Sequence, residues 1–69
     1  MQYKLLDSKN NLIEEINLAP LDGKVCEEVT KSDGSKVYLI SLGEMTFGRG
    51  GVIQDIVVGT KAEADAAAK

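Results

Sequence analysis

The stretch Ser32-Asp33-Gly34-Ser35 decides the fold predicted for this chain, because it separates two runs of strand-forming residues. Residues 25–30 precede it and residues 37–42 follow it, and both runs contain β-branched side chains in partial alternation. An Asp-Gly pair between two such runs is one of the strongest short-range signals of a β-hairpin. We therefore predict a tight turn at Asp33-Gly34, with an antiparallel strand on either side of it.

Three further apolar runs predict strands outside this hairpin, at residues 3–6, 12–18 and 52–58. The segment Asp7-Ser8-Lys9-Asn10-Asn11 has turn composition, since Asp and Asn bond their own main chain and tolerate left-handed backbone. Residues 12–18 and 52–58 also have spacings that fit a helix. Pro20 ends the first run early, and β-branched residues with flanking glycines mark the second, so strands are favoured in both.

The composition of each run predicts its place in the sheet. Residues 37–42 are apolar on both faces except at Ser41, which is typical of a central strand covered on both sides. Glu27-Glu28 sends a carboxylate to each face and suits an edge strand protected by charge. Residues 43–51 hold four glycines and are predicted to form a connection. The predicted core is Val37, Leu39 and Ile40.

Five closely spaced strands with turn signals between neighbours predict an all-β fold. The expected form is a small antiparallel five-stranded meander, closed or nearly closed into a barrel. We assign residues 1–60 to one small β domain and residues 61–69 to a short Ala-rich C-terminal tail. The tail has good helix propensity, but it is shorter than the roughly 12–15 residues that an isolated helix needs. It also has no large side chain, so we expect no apolar anchor on its own domain.

Length and composition limit how the domain is stabilised. A chain of 69 residues buries too little surface for its core to supply much stability alone. Cys26 is the only cysteine, which excludes an intramolecular disulfide, and the chain has no histidine, the commonest metal ligand. We predict no metal and no cofactor. The natural remaining support is association, so we expect a protein partner, as a homo-oligomer or as a subunit of a larger assembly. The alternative is idealised packing of a lone barrel, since many domains of about this length fold alone.

Charge and hydropathy exclude several classes of partner. Eight basic and eleven acidic residues give a dispersed net charge of −3, too mild for a nucleic-acid mimic and of the wrong sign for a phosphate binder. No stretch approaches the roughly 20 apolar residues of a membrane helix, and no basic segment precedes an apolar run as in a secretory signal. A lone cysteine is typical of a reducing compartment. We expect an intracellular or virion location, without membrane or nucleic-acid contacts.

The residues that could carry chemistry do not form a catalytic pattern. Gly48-Arg49-Gly50-Gly51 lacks the spacing, the following helix and the Lys-Ser/Thr pair of phosphate loops. Cys26 has no histidine to act as its base, so a small buried side chain is the better interpretation. The adjacent pairs Glu14-Glu15 and Glu27-Glu28 point to opposite strand faces and do not converge on one atom. We therefore predict that the protein is not an enzyme.

These exclusions leave contact with other proteins as the expected function. The leading hypothesis is a structural or interaction protein that docks onto a larger assembly, for example as a capsid-decorating or other accessory virion protein. The alternative is a small soluble inhibitor or regulator of a host enzyme or nucleic-acid complex. Arg49, the only arginine, lies among glycines and is suited to a partner's carboxylate or carbonyl groups. The predicted contact residues are Phe47, Gly48, Arg49, Gly50, Lys61, Glu63 and Asp65.

Overall fold

The computed structural model describes residues 1–68, and most of them lie in strands, which confirms the mostly-β prediction. The elements in chain order are β1 (Gln2–Leu6), β2 (Leu12–Asn17), β3 (Glu28–Thr30), β4 (Lys36–Gly48), β5 (Gly51–Gly59) and α1 (Lys61–Ala67).

The five strands form one mixed sheet in the order β2-β1-β5-β4-β3. The β1–β2, β3–β4 and β4–β5 pairs are antiparallel, but β1 and β5 run parallel, with Leu5 opposite Ile56. The predictions of a purely antiparallel meander and of a closed barrel are therefore wrong. The sheet is a curled half-barrel in which a β1–β2 hairpin and a β3–β4–β5 meander are joined side by side.

The curl brings the two edges of the sheet towards each other. Glu14 on the edge strand β2 accepts a 2.6 Å hydrogen bond from the Ser32 hydroxyl, in the turn next to the opposite edge strand. The concave side holds the core, which consists of Tyr3, Leu5, Val29, Leu39, Ile56 and Val58. Leu21, in the connection between β2 and β3, packs against this core, and its N–H donates to the Tyr3 hydroxyl at 2.8 Å.

The predicted β3–β4 hairpin is confirmed, but its tight turn is centred one residue earlier than predicted, on Ser32-Asp33 instead of Asp33-Gly34. Strands β3 and β4 pair antiparallel up to Thr30 opposite Lys36, and Gly34 has the positive φ of 89° that glycine adopts without strain. The N–H of Gly34 donates to the carbonyl of Lys31, so Ser32 and Asp33 occupy the two central turn positions. The Asp33 carboxylate accepts from both the N–H and the hydroxyl of Ser35, which lowers the pKa of Asp33.

The turn between β1 and β2 also follows its sequence. Asn10 adopts a φ of 65°, in the left-handed region that Asn tolerates. Asp7 accepts backbone hydrogen bonds at 2.8 Å from Lys9 and 2.9 Å from Asn11. The hydrogen bond from Asn11 is the main cause of the lowered pKa of Asp7.

The lengths and positions of three strands differ from the predictions. Residues 37–42 belong to β4, which is an interior strand, but the central strand is β5, which has two strands on either side. Strand β3 contains only Glu28–Thr30, since Cys26 has a φ of 70° that interrupts the extended backbone before it. Strand β4 continues through most of the predicted connection at residues 43–51. The edge position of Glu28 is confirmed, and Glu28 forms a 3.2 Å ion pair with Lys36.

The tail folds as the helix α1 on its own domain. Thr60 caps it, accepting from the N–H of Glu63 at 3.2 Å, while the Glu63 carboxylate accepts from the N–H of Thr60 at 3.1 Å. This reciprocal pair stabilises the first turn of a short helix. Ala64 is fully buried against β4 and β5, so the expectation that the tail has no apolar anchor is wrong at this position. An alanine anchors the helix because its small size allows a close approach to the sheet.

Candidate interaction surface

The outer part of the β4–β5 hairpin projects beyond the rest of the sheet. Strand β3 pairs with β4 only over Lys36–Tyr38, and backbone hydrogen bonds from the preceding loop extend that contact to Leu39. On the other side, β1 begins to pair with β5 at Ile53. Residues 41–52 are here called the arm. Its outer β4 edge pairs with no strand in the described chain, and its end, from Phe47 to Val52, is a two-stranded projection.

A β-bulge lies at the base of the arm. The β4–β5 register shifts between Leu42 and Met45, so that Gly43 and Glu44 together lie opposite Asp55. A Cβ atom at Gly43 would lie 3.0 Å from the Asp55 Cβ, which explains glycine at this position. Bulges bend and twist a strand pair, and this one sets the direction in which the arm leaves the sheet.

The tip of the arm contains three of the predicted contact residues. Gly48 pairs with Gly51, and the two-residue turn between them is Arg49-Gly50. Gly51 has a positive φ of 109°, which favours glycine. Gly50 has no positive φ, and a Cβ atom added there would have no other atom within 4 Å. Arg49 is exposed, and within residues 1–68 its guanidinium forms no ion pair. The glycine cluster is thus a hairpin end that presents an arginine to solvent.

Large apolar side chains are exposed along the arm. Phe47 is 83% exposed, Met45 is 55% exposed and Leu42 is 52% exposed. The three lie opposite Val52, Gln54 and Ile56 of β5, which are two residues apart and share a face. Since directly opposed residues of an antiparallel pair point to the same side, the exposed row continues the core face of the sheet outward. Nothing in the described chain covers its outer end at Phe47.

A shallow groove of about 650 Å³ lies beside the arm, where β1 begins. The N-terminal ammonium of Met1 donates to the side chain of Asn17 at 3.1 Å and to the carbonyl of Leu18 at 2.7 Å, which fixes the far wall. The lining is mainly apolar and consists of Met1, Gln2, Asn17, Met45, Gly50, Val52 and Ile53. Met45 belongs both to this groove and to the exposed row.

The predicted contact residues of the tail lie at the opposite end of the β4–β5 ladder from the tip. Helix α1 follows Gly59, which pairs with Tyr38 near the start of β4. Lys61 and Asp65 form an ion pair of 3.9 Å, and Asp65 also accepts from the Cys26 thiol at 3.2 Å. The structure therefore does not bring the two predicted sets together.

The hydrogen bond between Cys26 and Asp65 sets the protonation of the thiol. Donation to a carboxylate favours the neutral thiol and raises the pKa of Cys26 above its ordinary value, with smaller contributions from desolvation and the negative charge. A raised pKa leaves less thiolate at neutral pH, so this cysteine is poorly suited to act as a nucleophile.

One carboxylate of each adjacent glutamate pair has a structural partner. Glu27 accepts from the N–H groups of Asp22 and Gly23 at 3.1 and 3.0 Å, and thereby fixes the loop before β3. Glu14 accepts from Ser32 across the curl of the sheet. Among residues 1–68 no three His, Cys, Asp or Glu side chains are grouped to hold a metal ion. The single helix of this part of the chain, α1, is too short to span a bilayer.

No protein-family model matches this chain, and neither a curated protein nor a solved structure matches it.

Sequence reasoning missed Leu42 and Met45 as parts of the exposed surface. The signal was present, because Glu44-Met45-Thr46-Phe47 alternates polar and apolar residues as a strand does. The surrounding glycines, which are typical of loops, outweighed it. Gln54 was also missed, since a polar residue in a β-branched run gives no indication that it is buried.

Proposed function

We propose that this protein is a structural or interaction module that docks onto other proteins through the arm. The observation that carries the proposal is Phe47, a large aromatic side chain 83% exposed at the end of an apolar row. Aromatic side chains with this exposure are enriched where protein surfaces become buried on binding. The chain is small and gains stability from any partner that covers such a surface.

The backbone of the arm supports the same function. An unpaired strand edge displays N–H and C=O groups that a strand from another chain can satisfy. Natural proteins shorten such edges or place several charges on them, but residues 41–48 carry a single charge, Glu44. Eight residues at about 3.4 Å each offer an edge of roughly 27 Å to a partner strand. The arm thus combines main-chain and apolar contacts on one projection.

A photo-crosslinking experiment tests this function in the cells that make the protein. A benzophenone amino acid replaces Phe47 in one variant and Lys9 in a control, since Lys9 is exposed in the β1–β2 turn at a distance from the arm. We expect irradiation to produce a discrete protein adduct at position 47 and none at position 9. Equal labelling at the two positions, or no protein adduct at either, contradicts the proposal. An adduct to one free host enzyme supports the inhibitor hypothesis instead of the structural one.

A further inference from the structure

We infer that the partner of the outer β4 edge is the same edge of a second copy, paired antiparallel about a two-fold axis at Thr46. The inference rests on the proposed function of the arm and names its partner. The edge is free over residues 41–48, and the register of β4 is regular from Met45 to Gly48, beyond the bulge. A two-fold axis perpendicular to the sheet makes residues of the same face oppose each other across such a contact.

The apolar residues select Thr46 as the centre. With the axis there, Met45 of each copy lies opposite Phe47 of the other, so the same apolar pair forms twice on the core face. A thioether against an aromatic ring is a favourable contact, and a Thr–Thr pair on the other face is stable across strands. An axis at Met45 would place Phe47 opposite Gly43 and lose both pairs.

The charges select the same centre. Glu44 and Arg49 are the only charged residues from position 41 to 52, so two arms meet without net repulsion although the whole chain carries −3. With the axis at Thr46, Glu44 lies opposite Gly48 of the second copy, next to its Arg49. Both side chains are exposed and, within the described residues, neither forms an ion pair in its own chain. An axis at Glu44 would instead oppose two carboxylates.

A charge exchange tests the pairing in the purified full-length protein. We expect wild type to have twice the chain mass by light scattering, with a dissociation constant raised about fivefold or more by Glu44→Arg or by Arg49→Glu, because each single change opposes like charges twice. The double variant Glu44→Arg/Arg49→Glu restores the opposite signs and should recover most of the affinity. Equal affinities for all four proteins would overturn the inference.

Cysteine crosslinking tests the register. In a Cys26→Ser background, Thr46→Cys places two thiols across the axis, where opposed Cα atoms are about 4.5–5.5 Å apart and a disulfide can form. Glu44→Cys, on the same strand face, is the matched control, since its two copies lie about 14 Å apart in this register. Rapid oxidation to a covalent dimer only at position 46 supports the inference, and equal or absent crosslinking overturns it. If the protein is monomeric but a crosslinker at position 47 still captures a different protein, the inference of a second copy is overturned and the proposed function is retained.

Discussion

The Nε2 of Gln54 donates a 2.9 Å hydrogen bond to the carbonyl oxygen of Gly43, in the bulge at the base of the arm. The same amide donates at 2.9 Å to the carbonyl of Asp55 on its own strand. Gln54 is only 6% exposed, so a single buried side chain satisfies carbonyls that the shifted β4–β5 register would leave without partners.

The first prediction is that Gln54→Met destabilises the fold by about 1–3 kcal/mol. Methionine has a similar length but no donor, so the carbonyls of the bulge remain buried and unsatisfied. Urea unfolding measures the loss, and amide hydrogen exchange should show the largest increase in the arm. Gln2→Met is the matched control, because Gln2 is only partly buried at the start of β1 and lines the open groove. Equal unfolding midpoints for the two variants would contradict this role of Gln54.

The local features of the fold were predictable because short-range chemistry determines them. Asp33-Gly34 and Asn10 mark turns through backbone preferences that act within four or five residues. The parallel pairing of β1 with β5 was not predictable in this way, since it joins the first and last strands. Leu5 and Ile56 would point to the core in a parallel pair and in an antiparallel pair alike. The hydrophobic pattern therefore contains no information on the relative orientation of the two strands.

The candidate site was predictable at its tip and not along its length. Arg49 lies among glycines, and such a segment is expected on the surface. The exposure of Met45, by contrast, depends on where β3 stops pairing with β4, which the sequence of the arm does not encode. The register of β4 shifts between Leu39 and Ser41 and again between Leu42 and Met45, so a fixed period of two connects Leu42 with neither Leu39 nor Met45.

The second prediction separates two glycines of similar context. Gly34→Ala should destabilise the protein by about 1–2 kcal/mol, because alanine at a φ of 89° is strained although no atom lies within 4 Å of its Cβ. Gly50→Ala should be neutral or slightly stabilising, since Gly50 has the same open space without a positive φ. Melting temperatures measure both, and a loss at position 50 equal to that at position 34 would contradict the explanation by backbone conformation.

The third prediction concerns the docking of α1. Ala64→Glu should destabilise the protein by at least about 1 kcal/mol, because it buries a carboxylate without a partner while preserving helix propensity. Ala62→Glu is the control, since Ala62 is exposed in the first turn, where a negative charge is favourable. Chemical unfolding followed by circular dichroism compares them. Equal stabilities would show that the helix is not held against the sheet at Ala64.

The last prediction uses the Cys26 thiol as a reporter of the contact between the loop and α1. The hydrogen bond to Asp65 is the main cause of its raised pKa, and the nearby charge of Lys61 opposes that shift. Asp65→Asn should therefore lower the pKa, increase the thiolate at pH 8 and accelerate alkylation by iodoacetamide. Lys61→Gln removes a positive charge and should slow the reaction instead. The midpoint of the rate against pH is expected to move down in the first variant and up in the second. Identical profiles for both variants and wild type would show that Cys26 does not face the helix, because a thiol free in solvent responds to neither substitution.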